Sequence, residues 1–493
     1  MYRRLMLAAA PLALSACVGT GIQGAAPVSA GQAAPISAQE RQQGTDAHPS
    51  ILAEYGGAYS GPQSAYAERV GRKIAVQSGL SDSPAAFNVT LLNSPVNNAF
   101  AIPGGYVYST RQLMALMNDE AELAAVLGHE VAHVAARHSA KRQSAAQTNQ
   151  VLGALGQLLV GAVAGNGAIG NVLSQGIGTG AQLVTLGYSR SQETQADDLG
   201  IDYLVKAGYD PMAMATVLAS LEAQNNLDAR ISGGNARSVP AWASTHPDPG
   251  ARVARAQQQA QATGIANGVR NRDAFLNALD GVMYGDDPKQ GVIEGRDFLH
   301  PSLGIGFTIP QGFTMQNGTK AVSISGSNAQ AQFSTAAYSG NLESYIGGVF
   351  KSLSGNSGSV PQFTVQRTSV NGIPAGYATI RANSGGSSVD ATVFAYTPSN
   401  SQAYHFIIVA PAGQGVGALS PMVQSFRKLT SAQASAIKPR FVRVVTVKSG
   451  DTINSLASRM AFDDYKVERF LVLNGLNSNS TLQAGQRVKI VTR

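Results

Sequence analysis

Cysteine is almost missing from this chain. Cys17 is the only one in 493 residues, so no internal disulfide can form. Aromatic residues make up 6% and charged residues 13%, both low, while 54 glycines predict long Gly/Ala/Ser connectors. Long apolar runs are also lacking. Residues 5–14 are too few for a stable membrane anchor, and residues 151–164 are interrupted by Gln157 and several glycines. What is present is a 44% hydrophobic fraction, ordinary for globular proteins, and a length suggesting roughly two to four domains.

The most informative stretch is His129-Glu130-Val131-Ala132-His133. Its flanks read as helix: Ala121, Leu123, Ala124, Val126, Leu127, Val131 and Val134 form an apolar stripe, and no proline falls between Asn118 and Arg142. Asn118 or Asp119 is the expected N-cap, with Glu120 and Glu122 in the first turn. Two imidazoles four residues apart share one helix face, and a carboxylate follows the first. That is the arrangement zinc hydrolysis needs: two neutral nitrogens for the metal and a base for its water.

A third protein ligand is required. Ala136 and Ser139 stand where a metzincin would need glycine and histidine, and His138 falls one position early, so His138 reads as surface or structural. Further on, Glu193 and Asp197 are four apart and share a helix face. Glu193 can ligate the metal, and Asp197 can accept a hydrogen bond from the outer nitrogen of His129.

Together these segments, over about residues 54–261, resemble the gluzincin peptidases of the HtpX/BepA type, relatives of the CAAX prenyl proteases. The resemblance implies one Zn2+ held by His129, His133 and Glu193, with Glu130 as general base. Asn98-Ala99-Phe100-Ala101-Ile102-Pro103-Gly104-Gly105 looks like the family's edge strand and turn, where an extended substrate pairs by backbone hydrogen bonds. His246, in Ser244-Thr245-His246-Pro247, resembles the family's His-Pro loop with Arg252 trailing it. Two roles follow for His246. It donates to the oxyanion with help from Arg252, or it fills the open metal position as a latch. The Gly-rich stretch 151–186 departs from the membrane-embedded HtpX pattern and reads as a mobile lid or a pair of small-residue helices.

At the N-terminus, Arg3 and Arg4 precede the short apolar run, which reads as a signal peptide. Leu14-Ser15-Ala16-Cys17 resembles a bacterial lipobox, implying cleavage before Cys17 and lipidation there; Val18 favours the outer membrane. Residues 18–48 read as a disordered tether spanning roughly 30 Å. The net charge of +7 is uneven: residues 438–493 hold ten Lys/Arg against four Asp/Glu, or +6. An anionic wall polymer or a membrane surface is the expected partner, and nucleic acid is not.

Beyond residue 250, residues 251–279 read as helix and 286–294 as loop. Short β-rich runs, interrupted by helical patterns at 342–353 and 419–426, make 298–429 an α+β unit resembling PsbP/DcrB-like accessory domains. His300 and His405 stand alone there and read as structural. The helical repeats of BepA-type proteins are not found. Val445-Thr446-Val447-Lys448-Ser449-Gly450-Asp451-Thr452-Ile453, Asn474-Gly475-Leu476 and Ala484-Gly485-Gln486 resemble a LysM module, which implies binding of N-acetylglucosamine-containing glycans. Residues 457–474 run about three longer than that module's usual spacing, which predicts an extended second helix and an altered groove.

The expected architecture is multidomain α+β. A signal peptide (1–17) and tether (18–48) lead to a mainly helical zincin-type metallopeptidase domain (49–285). An α+β domain (286–430) and a small βααβ LysM-like domain (438–493) follow. The expected function is a lipid-anchored periplasmic zinc endopeptidase acting on misfolded or stalled envelope proteins and gripping peptidoglycan. The competing expectations are a latent-protease chaperone or wall scaffold, and a peptidoglycan peptidase.

Overall fold

The computed structural model describes residues 33–138, 188–231, 242, 245–353, 360–384 and 387–493. Cys17 with its lipobox and the glycine-rich stretch 151–186 lie outside the described residues. Among those described, no helix is long and apolar enough to cross a membrane.

The first unit is built around one buried helix. In chain order it holds α1 (Ala38–Glu54), α2 (Pro62–Ala75), β1 (Asn88–Leu92), β2 (Ala99–Ile102), β3 (Tyr106–Thr110), α3 (Arg111–Leu116) and α4 (Glu120–Ala135). Then come α5 (Arg190–Lys206), α6 (Ala213–Ile231), α7 (Pro249–Ala262) and α8 (Arg272–Leu279). Helix α4 starts where Asp119 accepts a hydrogen bond from Glu122 N at 2.9 Å, resolving the N-cap choice in favour of Asp119. All of α4 except Val134 is buried, as befits a helix apolar around most of its circumference. The sheet runs β1-β3-β2, with β1 parallel and β2 antiparallel to β3, so β2 is an edge strand as expected. The turn after it needs glycine. Gly104 and Gly105 have φ of +95° and +86°, and a Cβ at either would press on backbone carbonyl oxygens of Glu40 or Ala86.

Two expectations change here. Residues 38–48, expected as tether, are the first part of α1, because Ser37 and Glu40 close a capping box and Ile51 packs with Phe100, Ile102 and Tyr108. Residues 251–279 form two helices, α7 and α8, since Gly264 at φ +71° ends the first and Val269 bridges to Tyr209.

The second unit contains β5 (Val292–Glu294), β6 (Asp297–His300), β7 (Ile305–Thr308), β8 (Thr314–Asn317), β9 (Val322–Ser325) and β10 (Gln330–Ala337). Next are α9 (Leu342–Leu353), β11 (Gln366–Val370), β12 (Ile373–Ser384), β13 (Ser387–Tyr396), β14 (Gln402–Pro411), α10 (Ser420–Ser425) and β15 (Arg427–Lys428). A seven-stranded antiparallel sheet, β11-β12-β13-β14-β10-β9-β8, packs one face on the four-stranded sheet β15-β7-β6-β5 and the other on α9. Alternation along β13 shows why: Phe394 and Tyr396 enter the first core, Val393 and Ala395 the second. Residues 286–294, expected as loop, contain β5. His405 is structural as expected, buried with its Nδ1 2.8 Å from the Tyr345 hydroxyl.

The last unit holds α11 (Ser431–Ala436), β16 (Arg440–Thr446), α12 (Ile453–Ser458), α13 (Lys466–Leu473) and β17 (Arg487–Thr492). Its β17-β16 pair is extended by β4 (Met283–Tyr284), so the chain leaves this sheet at Tyr284 and returns at Arg440. The second helix, α13, is eight residues long. Ahead of it, Phe462 packs under the Arg440 and Arg469 guanidinium groups. Lys489 is fully buried and donates to the carbonyls of Ala115, Leu116 and Met117 at 2.9, 3.3 and 2.6 Å, so this unit caps the end of α3 just ahead of α4.

Candidate metal centre

His129 and His133 come from α4, Glu193 and Asp197 from α5, and Arg252 from α7, with His246 in the segment leading into α7. Helices α4 and α5 approach closely because both present glycine at the crossing. Across the crossing, a Cβ on Gly200 would meet His129 N at 3.4 Å and one on Gly128 would meet Gly200 Cα at 3.9 Å, while Met214 Cε of α6 and Ile74 Cγ1 of α2 close in at 2.6 and 3.1 Å.

Four ligand atoms converge. The Nε2 atoms of His129 and His133 are 3.0 Å apart. His246 Nδ1 is 3.2 Å from His129 Nε2 and 3.0 Å from Glu193 Oε1. Glu193 Oε1 is 3.4 Å from His133 Nε2, and its Oε2 is 3.6 Å from His129 Nε2. All four residues are buried, and their donor atoms lie within 4.8 Å of one another. Donors about 2.0–2.1 Å from a tetrahedral cation stand about 3.3 Å apart, so these separations fit one metal ion. Burial holds His133 well below the usual histidine range and His246 at about 4, which keeps both rings neutral and able to ligate. Burial pushes Glu193 up, but His246, His133 and His129 outweigh it and keep it ionised.

Around the donors stand groups that aim them. Asp197 Oδ1 is 3.0 Å from His129 Nδ1, the contact its spacing implied. Arg252 donates from Nε to Asp197 Oδ2 at 2.7 Å and pairs again with Asp197 and with Glu193. Its guanidinium thus faces two carboxylates at the site. Glu130 is buried, and its Oε1 has no hydrogen-bond partner among the described residues; His246 Nε2 stands 3.5 Å away, too far for one. Burial and then Glu193 raise the Glu130 carboxyl well above its ordinary range.

The edge strand lies beside this group. Phe100 stacks on Tyr108 at 4.8 Å on one face of β2, and Ala101, Val131 and Val134 line a shallow apolar cleft on the other. Asn98 is held by Tyr55, and Asn98 and Ala99 lead the strand into the Gly104-Gly105 turn.

Three contacts had no signal in the sequence. Trp242 stacks on His246 with centroids 4.1 Å apart, and its backbone N–H donates to Asn97 O just before β2. Tyr188 lies flat on His133 at 3.6 Å. His138, expected as surface or structural, is buried with its Nδ1 2.8 Å from His133 Nδ1.

A buried two-histidine, one-carboxylate centre with an adjacent glutamate, set beside an edge strand, defines a gluzincin-type metallopeptidase domain. Residues 62–260 match peptidase family M48, and residues 445–491 match the LysM domain, so the chain carries an M48 peptidase domain and a C-terminal LysM domain. It is 30% identical over 224 residues to the mitochondrial metalloendopeptidase OMA1 of Schizosaccharomyces pombe, covering 44% of this chain and 60% of that one. It is also 30% identical over 198 residues to the beta-barrel assembly-enhancing protease of Escherichia coli K12, covering 40% of this chain and 38% of that one. The chain thus spans between about a third and two thirds of the length of these relatives.

Proposed function

We propose that this protein is a lipid-anchored zinc endopeptidase of the bacterial envelope. Its substrates are misfolded or stalled envelope proteins, and its LysM domain holds it to peptidoglycan. The observation that carries the reading is the buried convergence of His129, His133 and Glu193 beside a Glu130 oxygen that has no partner among the described residues. The E. coli relative named as a beta-barrel assembly-enhancing protease supports an envelope setting. The lipobox at Cys17 supports the anchor, with outer-membrane sorting from Val18. The loops 448–455 and 475–485 are largely exposed, which supports an open glycan surface. We read the unit at 286–430 as a PsbP/DcrB-like docking domain.

The residues divide the work as follows. His129, His133 and Glu193 would hold the ion, with Asp197 and Arg252 fixing these ligands. A Zn2+ bound there would supply Lewis acidity. Glu130 takes a proton from the attacking water and passes it to the leaving amine. Strand β2 pairs the substrate backbone through its open edge, a mode that tolerates varied side chains. Burial of the centre excludes bulk water and strengthens each of these interactions.

His246 stands among the ligands rather than outside them, which favours the latch over the oxyanion role and describes a resting state. Zinc content and casein cleavage, with and without chelator, test the enzyme. Stoichiometric zinc with chelator-sensitive cleavage is the expected result. No bound zinc would leave a scaffold or chaperone. Pulldown on purified sacculi tests the wall contact.

A further inference from the structure

A carboxylate oxygen stands 3.0 Å from the outer nitrogen of His129, but among the described residues no carboxylate is placed so for His133. Its outer nitrogen, Nδ1, faces His138 Nδ1 at 2.8 Å. The far nitrogen of His138, Nε2, lies 3.0 Å from Gln195 Oε1, on the same helix as Glu193 and Asp197. We propose that His138 and Gln195 are positioning residues that fix the tautomer and aim of the metal ligand His133.

The proton bookkeeping along this line is forced. Two nitrogens 2.8 Å apart share one proton. For His133 to offer the lone pair of Nε2 to a metal, that proton belongs on its Nδ1 and is donated to His138 Nδ1. The remaining proton of neutral His138 then sits on Nε2 and is donated to Gln195 Oε1. Reversing any link puts a hydrogen on His133 Nε2, among the donors, where it blocks ligation. Outer partners of this kind fix ligand orientation in metal sites generally. Here the partner is a neutral imidazole backed by an amide, so no second charge is added beside Glu193, Asp197 and Arg252. Tyr188, flat against the ring at 3.6 Å, fixes its remaining rotation.

The backbone is bent to make this contact. Five residues along a continuing helix would carry His138 about 140° around from His133. Helix α4 instead stops at Ala135, and Arg137 turns the chain with φ +54°, a left-handed conformation uncommon for a non-glycine residue. Arg137 is held in that turn by Glu40 and by the carbonyl of Ala34, both from the N-terminal segment. Gln192 Nε2 reaches the His138 carbonyl at 3.4 Å, tying the same turn to α5.

This inference rests on the metallopeptidase reading, and its test keeps the two apart. Zn2+ affinity is measured on the full chain by chelator competition. Wild-type protein that binds no Zn2+ fails the metallopeptidase reading itself. His138→Phe, which keeps a ring but removes the acceptor, is expected to weaken Zn2+ binding about 10–100-fold. His138→Gln, whose amide oxygen accepts the same proton, is expected to recover most of that loss. Gln195→Ala is expected to weaken binding in wild type and to do nothing further in His138→Phe, since it acts only through His138. Unchanged affinity in His138→Phe, whatever its thermal stability, overturns the proposal. Should that variant not fold, long-range 1H–15N spectra of the Zn2+-loaded wild type decide. Protons on His133 Nδ1 and His138 Nε2 are expected, and the opposite pattern overturns it.

Discussion

Removing the Arg252 guanidinium tests whether this side chain serves the ligands or the reaction. It is 7% exposed and faces two buried carboxylates, Asp197 and Glu193. Each charge-assisted hydrogen bond contributes about 1.5–3 kcal/mol, offset in part by the cost of burying the cation. Arg252→Ala leaves two buried carboxylates without their partner, so the metal-free protein is expected to lose about 3–5 kcal/mol. Arg252→Lys keeps the charge but cannot grip Asp197 at two points, and falls between. Trp242, the only tryptophan and stacked on His246, reports the unfolding midpoint in urea from within the site. Zn2+ affinity should fall with stability, and added metal should restore part of it, because a bound cation replaces the lost charge. The acid limb should also flatten. Burial raises Asp197, but its bonds to His129 and Arg252 win and hold its folded pKa below the unfolded value. That stabilisation is present above the unfolded pKa of about 3.9 and is lost as pH falls through the folded one. Wild-type stability and metal affinity in Arg252→Ala, with only kcat reduced, would refute this reasoning and restore the oxyanion role.

Three further outcomes follow from the geometry. Glu130→Gln should retain metal and lose peptide hydrolysis by about 10²–10⁴-fold in kcat; full activity would remove Glu130 as the base. His246→Ala should raise casein cleavage if the ring is a latch, and a fall would return it to the oxyanion. Lys489 is held at about 7 by burial, with Glu122 opposing. Because its folded pKa lies below the unfolded one, the unfolded state binds more protons between them, and stability should rise with pH from about 7 to 10. The rise should vanish in Lys489→Met. A wild-type unfolding midpoint equal at pH 7 and 9 would contradict it.

Local spacing determined the parts of this protein that lie on one helix face. The four-residue intervals His129–His133 and Glu193–Asp197 were legible because helical periodicity sets which side chains align. The edge strand with its glycine turn and the LysM pattern were legible for the same reason: turn chemistry and alternation are local. Contacts between elements were decided only by the tertiary structure. Nothing in the spacing from Asp197 to Arg252 announces that the arginine clamps two carboxylates, because the pairing depends on how α7 crosses α5. The docking of Lys489 on α3 and the addition of β4 to the LysM sheet join residues remote in sequence. His138 shows the limit most sharply. On a continuing helix it points away from His133, and the left-handed turn at Arg137, held by an N-terminal segment a hundred residues upstream, brings it back to the metal ligand.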